Sequence, residues 1–201
     1  MSAQAFLLAA GFGTRLRPLT LHRPKPLVPV AGVPMLDYAV ALLAQHGIQR
    51  AVVNAHYLPE QVARWAEAHP MDLHVSVERP DILGTGGGLR QAEAWLADRF
   101  VIVNGDILSD VDLTGLLSDI TDEVDGVMAL RQLQSGEGYG VVAADADGRV
   151  VDLVGLAQHP ARGAVSRNTH FTGVHALHRR AIAHLPAEGE ACIVRQSYVH
   201  M

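Results

Sequence analysis

The chain has 201 residues, 49% apolar and 18% charged, with a formal net charge of −5. That is enough chain for an α/β domain with a real core, and the composition is that of a soluble globular protein rather than a disordered one. The acidic balance leaves no electrostatic footprint for nucleic acid, and with Cys192 as the one cysteine no intramolecular disulfide can form.

Apolar runs and helical patterns alternate along the first half. Residues 5–10 read as a buried strand that ends at once in glycines. This run is too short for a signal peptide or a membrane span, so a cytoplasmic protein with no membrane partner is expected. Pro34 precedes a helix whose Leu36, Ala39, Val40 and Leu43 share one face, with Gly47 after His46 as its stop. Residues 51–53 read as a second strand. Pro59 opens a second helix with Val62, Trp65 and Ala66 inward, and residues 73–77 read as a third strand. The glycine-rich stretch 84–88 reads as a loop, followed by a helix marked by Leu89, Ala92 and Leu96. Residues 100–103 form a fourth strand ending at Asn104-Gly105-Asp106. This alternation predicts a mainly parallel sheet with helices on both faces.

The second half has a different pattern. Residues 126–130 read as a strand, and 140–144 and 149–153 as a hairpin around Asp145-Ala146-Asp147-Gly148. Residues 171–177 form another strand before a short helix over 179–184. These predict an antiparallel extension of the same sheet, with residues 1–201 as a single domain. Asp110 and Asp112 read as loop and helix-start residues, and the acidic run Asp119, Asp122, Glu123 and Asp125 as a solvated face. His170 and His175 fall on opposite sides of a strand, which argues against a zinc site.

Chemistry concentrates after the first strand, in Ala10-Gly11-Phe12-Gly13-Thr14-Arg15-Leu16-Arg17-Pro18-Leu19-Thr20. Glycines let backbone N–H groups approach phosphate oxygens, and Thr14 and Arg15 add donors. A dinucleotide-binding loop would start a helix immediately and carry a third glycine, but Leu16 stands there. A P-loop would need Gly-Lys-Ser or Gly-Lys-Thr, which does not occur. Prolines 18, 24, 26, 29 and 34 instead dictate a long extended loop. Lys25 lies within it between two prolines and is the only lysine among 16 basic residues. A lysine retained in a chain that otherwise uses arginine points to a need for a compact ammonium on a thin stem.

Residues 8–34 resemble the sugar nucleotidyltransferase family. They carry its Leu-Ala-Ala-Gly-x-Gly-Thr-Arg-Leu-x-Pro-Leu-Thr start and its Pro-Lys-Pro-Leu-x-Pro-Val-x-Gly-x-Pro continuation. The resemblance implies a Rossmann-like α/β nucleotidyltransferase fold and an enzyme that joins a nucleoside triphosphate to a sugar 1-phosphate, releasing pyrophosphate. It implies that Ala10, Gly11, Gly13, Thr14 and Arg15 hold the triphosphate and that Lys25 contacts the reacting phosphates. It implies too that the stretch containing Gly84, Thr85, Gly86 and Gly87 binds the nucleobase, and that Asp106 binds Mg²⁺. Asn104, Gly140 in the Tyr-Gly-Val segment and Thr172 in the Phe-x-Gly segment are then the expected sugar-side residues. Arg15, Lys25 and Asp106 are the expected catalytic set.

Two departures from the family pattern bear on specificity and metal binding. The Glu-Lys-Pro string that many members carry between the sugar-side segments is absent; residues 152–156 read Asp-Leu-Val-Gly-Leu. This fits a shorter branch that includes the N-acetylmuramate-1-phosphate uridylyltransferases. The Trp/Phe-x-Asp-x-Gly motif that supplies a second metal carboxylate is also absent, so the 201 residues are expected to lack the domain's C-terminal end. Residues 193–201 read as the start of an amphipathic helix with no stop. UTP with an amino-sugar phosphate is the expected substrate pair. A GTP-dependent mannose- or heptose-1-phosphate guanylyltransferase and a non-catalytic nucleotide-sugar sensor are the alternatives. A monomer or small homo-oligomer is expected.

Overall fold

Ala5, Phe6 and Leu7 are fully shielded from solvent, and the strand that carries them, β1 (Ala3–Leu8), organises the sheet. The computed structural model describes residues 3–135, 137–158 and 165–201. Met1 and Ser2 lie outside the described residues.

After β1 the chain makes three single 3₁₀ turns, at Thr14–Leu16, Leu19–Leu21 and Lys25–Leu27, and a small hairpin of β2 (Pro29–Val30) and β3 (Val33–Pro34). The prolines prevent a regular α-helix here, as expected, but permit these tight turns. Then follow α1 (Met35–Gln45), β4 (Arg50–Ala55), α2 (Pro59–Ala68), β5 (Asp72–Val77), α3 (Gly84–Ala92) and β6 (Leu96–Asn104). The second half supplies α4 (Leu113–Ser118), β7 (Gly126–Gln132), β8 (Val142–Asp145), β9 (Val150–Leu153), β10 (Ala157–Gln158), the long β11 (Val165–His178) and α5 (Ile193–Gln196).

Among the described residues one nine-stranded sheet runs in the order β10-β9-β8-β11-β6-β1-β4-β5, with β7 also paired to β11. β1 pairs in parallel with β4 and β6, and β4 with β5. β11 lies antiparallel to β6, β7 and β8. The expected parallel core and antiparallel extension are both present.

Alternation along the central strands divides the core. Ala5, Leu7, Ala51, Val53, Val101 and Val103 join one apolar cluster with α1, α2 and α4. Phe6, Val52, Phe100 and Ile102 join the other with α3 and the 181–198 segment. Pairing β1 with β4 on one side and β6 on the other makes the carboxyl end of β1 a topological switch point. Open α/β sheets bind ligands at such a crevice.

Three expectations need correction. The first strand ends at Leu8, because the Ala9 N–H leaves the ladder to donate to Asn54 Oδ1 at 2.7 Å. Leu96 belongs to β6, pairing with Ala3, not to the preceding helix, which stops at Ala92 before a 3₁₀ turn. The C-terminal stretch is not one helix but α5 followed by a 3₁₀ turn at Tyr198–His200. Within the acidic run, Asp125 is ion-paired with Arg180, while Asp119, Asp122 and Glu123 are exposed. Asp112 caps α4, accepting hydrogen bonds from Thr114 N–H and Gly115 N–H.

Candidate active site

A cleft of about 420 Å³ opens at the switch point. Its walls are Leu8 to Leu16 after β1, Lys25 and Pro26 from the proline loop, and Asn54 at the end of β4. Ile82 before α3, Gly84 and Thr85 in its first turn, Asn104 at the end of β6 and Asp106 after it complete the cleft. Ligand sites of several hundred Å³ are of ordinary size for a small-molecule substrate.

The glycine loop is fastened to the proline loop. Gly13 has a left-handed φ of +62°, and a Cβ there would sit 2.8 Å from Lys25 Cβ and 3.0 Å from Thr20 Cγ2. The buried Thr20 hydroxyl donates to Gly13 O at 2.8 Å. Glycine is thus required twice over at this position, for its dihedral and for the approach of the lysine stem. Gly11 has open space around it, and Thr14 and Arg15 are exposed at the cleft.

Lys25 Nζ forms an ion pair with Asp106 Oδ2. Asp106 is carried to this place by Gly105, whose N–H donates to Leu8 O at 2.9 Å. A Cβ on Gly105 would lie 2.9 Å from that same carbonyl oxygen. The expected catalytic lysine and carboxylate therefore face one another, and Arg15 lines the same cleft.

The glycine-rich stretch after β5 is not a loop, because its residues form the first turns of α3. Gly84 and Thr85 line the cleft. Gly86 and Gly87 are buried, and both their N–H groups donate to Ala191 O, at 2.8 and 3.3 Å. A Cβ on Gly87 would stand 2.4 Å from Gly189 O, and one on Gly86 2.8 Å from Leu185 Cδ2. Thr85 Oγ1 accepts from Ile193 N–H at 3.1 Å. These glycines admit the 185–193 segment against the helix start.

Two buried polar residues did not stand out in the sequence. Asn54 and Glu78 follow the apolar runs of β4 and β5 and are 2% and 1% exposed. Asn54 Nδ2 donates to Glu78 Oε1 at 2.7 Å, and Leu83 N–H donates to Glu78 Oε2 at 2.7 Å. Burial raises the Glu78 carboxyl above its ordinary pKa, and the hydrogen bonds from Leu83 and Asn54 pull it back in part. The signal available in the sequence was a polar side chain at the carboxyl end of each of two parallel strands, where ligands bind.

The sugar-side candidates separate. Asn104 lines the main cleft, packed over Gly173, where a Cβ would meet Asn104 Nδ2 at 2.6 Å. Gly140 lines a second cavity of about 200 Å³ with Tyr139, His170 and Phe171, where Tyr139 stacks on His170 at 4.4 Å. The Thr172 hydroxyl donates to Ala129 O at 2.8 Å, and Thr172 lines neither cavity. No group of three or more His, Cys, Asp or Glu among the described residues could hold a metal alone.

The sequence profile described as Nucleotidyl transferase matches residues 4–171. The chain belongs to the nucleotidyl transferase family. This family member is 31% identical over 200 residues to the mannose-1-phosphate guanylyltransferase of Mycobacterium tuberculosis, covering 96% of this chain and 54% of that protein. It is 39% identical over 115 residues to the N-acetylmuramate alpha-1-phosphate uridylyltransferase of Neisseria meningitidis serogroup B, covering 55% and 50%. The nucleotidyl transferase chain thus spans about half the length of these curated relatives. Its fold is that of HddC from Yersinia pseudotuberculosis, solved in complex with GMP-PN, with a TM-score of 0.76 at 23% identity. That match covers 94% of this chain and 82% of the other. Among the described residues no helix is long and apolar enough to cross a membrane.

Proposed function

We propose that this cleft makes a nucleotide-sugar and pyrophosphate from a nucleoside triphosphate and a sugar 1-phosphate. The observation that carries this reading is the meeting of Lys25, Asp106 and the Ala10–Arg15 loop at the carboxyl ends of β1 and β6. In the reaction a sugar phosphate oxygen forms a bond to the α-phosphorus, the α–β phosphoanhydride bond breaks, and pyrophosphate leaves with the electron pair. No protein nucleophile is needed, so catalysis consists of positioning and charge neutralisation.

The glycine-loop amides, Thr14 and Arg15 hold the triphosphate, and Gly84 and Thr85 face the base. Gly86 and Gly87 serve through packing, since their amides are engaged by Ala191 O. Asn104 lies on the sugar phosphate side, and the cavity containing Gly140 receives the far part of the sugar. Thr172 supports that side through its bond to Ala129 O. Asp106 offers hard carboxylate oxygen at the cleft surface, the donor type that would hold Mg²⁺. When bound there, Mg²⁺ neutralises phosphate charge.

UTP with an amino-sugar phosphate such as N-acetylmuramate 1-phosphate is the preferred pair, supported by the 39% identity to the Neisseria protein. GTP with mannose 1-phosphate is the rival, supported by the longer match to the Mycobacterium protein. Pyrophosphate release, measured with Mg²⁺ and a panel of triphosphates and sugar 1-phosphates, tests both. The expected result is turnover with UTP, abolished in Asp106→Asn while the circular dichroism stays native. Turnover that is unchanged in Asp106→Asn across a magnesium titration removes Asp106 from the mechanism. Binding of nucleotide-sugars with no turnover of any pair makes the domain a sensor instead.

A further inference from the structure

The two walls of the cleft are joined by a line of hydrogen bonds that runs through Asn54, which lines the cleft, and the buried Glu78. Leu83 N–H, next to Gly84 on the base side, donates to Glu78; Asn54 donates to the other Glu78 oxygen; and Ala9 N–H, at the start of the phosphate loop, donates to Asn54 Oδ1. We propose that Glu78 is a positioning residue that fixes the spacing of the base-side and phosphate-side walls, so that one nucleoside triphosphate can touch both. The proposal rests on the nucleotide reading of the cleft.

The polarity of this line is forced from its ends. Ala9 and Leu83 each bring a backbone N–H, which can only donate. Asn54 must turn its oxygen to Ala9, so its NH₂ group points at residue 78. Residue 78 must then accept on both sides, and only a carboxylate does so. Space is equally constrained: a Cβ on Gly88 of α3 would lie 2.3 Å from Glu78 Oε1 and 2.8 Å from Asn54 Nδ2. Ala9, Asn54 and Glu78 are all buried, so a donor or acceptor left without its partner there is costly.

Glu78→Gln places NH₂ against NH₂, whereas Asn54→Asp alone sets two carboxyl groups together that share a proton and keep the line paired, so the tests are Glu78→Gln and the double variant. The double variant Asn54→Asp/Glu78→Gln restores every donor–acceptor pair, with the central one reversed. The new carboxylate at position 54 accepts from Ala9 N–H and from the new side-chain amide at position 78, whose oxygen accepts from Leu83 N–H. Its total charge equals that of the wild type. The experiment measures binding of UTP, GTP and pyrophosphate by titration calorimetry, together with amide hydrogen exchange at Ala9 and Leu83. Glu78→Gln is expected to weaken triphosphate binding at least about tenfold, and the double variant to return within about threefold of wild type. Pyrophosphate, which meets only the phosphate wall, should change less than about twofold in every variant. A general loss of folding would weaken both ligands alike.

Exchange at Ala9 and Leu83 should rise together in Glu78→Gln and recover together in the double variant. If wild type binds neither triphosphate, the nucleotide reading fails, and the paired exchange still decides whether the bridge couples the two walls. If Glu78→Gln does not fold, the double variant decides alone: native exchange and triphosphate affinity uphold the bridge, and their absence overturns it. Wild-type triphosphate affinity in Glu78→Gln, or a double variant no better than Glu78→Gln, also overturns it.

Discussion

Lys25 reaches Asp106 across 81 positions of sequence, and its stem is packed where Gly13 has no side chain. The preceding Pro24 is buried, and Lys25 begins a 3₁₀ turn that closes with Val28 N–H on Lys25 O at 3.1 Å. The ammonium is therefore aimed by its backbone, and little rotamer freedom remains to be lost when phosphate binds. A point charge can follow charge moving from the α-phosphate to the leaving pyrophosphate, whereas a planar guanidinium meets the same oxygens at other distances. Lys25→Arg should leave the melting temperature nearly unchanged and lower kcat about tenfold, roughly 1.4 kcal/mol of transition-state stabilisation. Steady-state kinetics on the Arg variant checks this; a wild-type kcat would mean that any cation suffices there.

At the scale of elements, the patterns that depend on one chain segment were legible and those that depend on a distant partner were not. The inward faces of α1 and α2 follow directly from Leu36, Ala39, Val40, Leu43, Val62 and Ala66, all buried. Leu96 misled because it faces the same apolar cluster as Leu89 and Ala92, so a helical spacing continues smoothly into a strand. Gly84 to Gly88 misled because glycine is the poorest helix former after proline, yet here it begins α3. The reason lies about a hundred residues away, in the 185–193 segment that presses on the helix start. The Asn54–Glu78 bridge joins two strands across 24 residues of sequence, and the spacing within either strand does not reveal its partner. Gly87→Ala is the test at this scale. Helix propensity alone favours the change by about 1 kcal/mol, but the new Cβ lies 2.4 Å from Gly189 O and 3.0 Å from Leu83 Cβ. Overpacking should win, with a net destabilisation of about 1–3 kcal/mol in urea unfolding. A Gly87→Ala protein more stable than wild type would show that the 185–193 segment yields freely.

For the whole molecule, the sheet face that carries α3 is closed by the C-terminal residues. Ile193 and Tyr198 are buried in the same cluster as Phe6, Phe100 and Ile102, and the Ser197 hydroxyl donates to Ala181 O at 2.8 Å. The Tyr198 hydroxyl pairs with His175 Nε2 at 3.1 Å, and His175 stacks on Phe171 with ring centroids 5.0 Å apart. His175 is 1% exposed, and its Nδ1 has no partner among the described residues. Burial holds this imidazole neutral, lowering its pKa from 6.5 to about 3. The folded-state pKa lies below the unfolded one, so the unfolded chain takes up the proton first as pH falls. Stability tied to His175 is therefore complete above pH 6.5 and declines as pH drops from there toward 3. By about pH 5 the loss at this one residue should be about 2 kcal/mol. His175→Phe keeps a ring against Phe171 and removes the proton site, while leaving the Tyr198 hydroxyl without its partner. It should be less stable than wild type near neutral pH, yet lose about 2 kcal/mol less between pH 7.5 and 5. Urea unfolding at those two pH values measures the difference, in which the carboxylates common to both proteins cancel. Equal acid losses in the two proteins would mean that the C-terminal segment opens and hydrates His175 before the sheet unfolds.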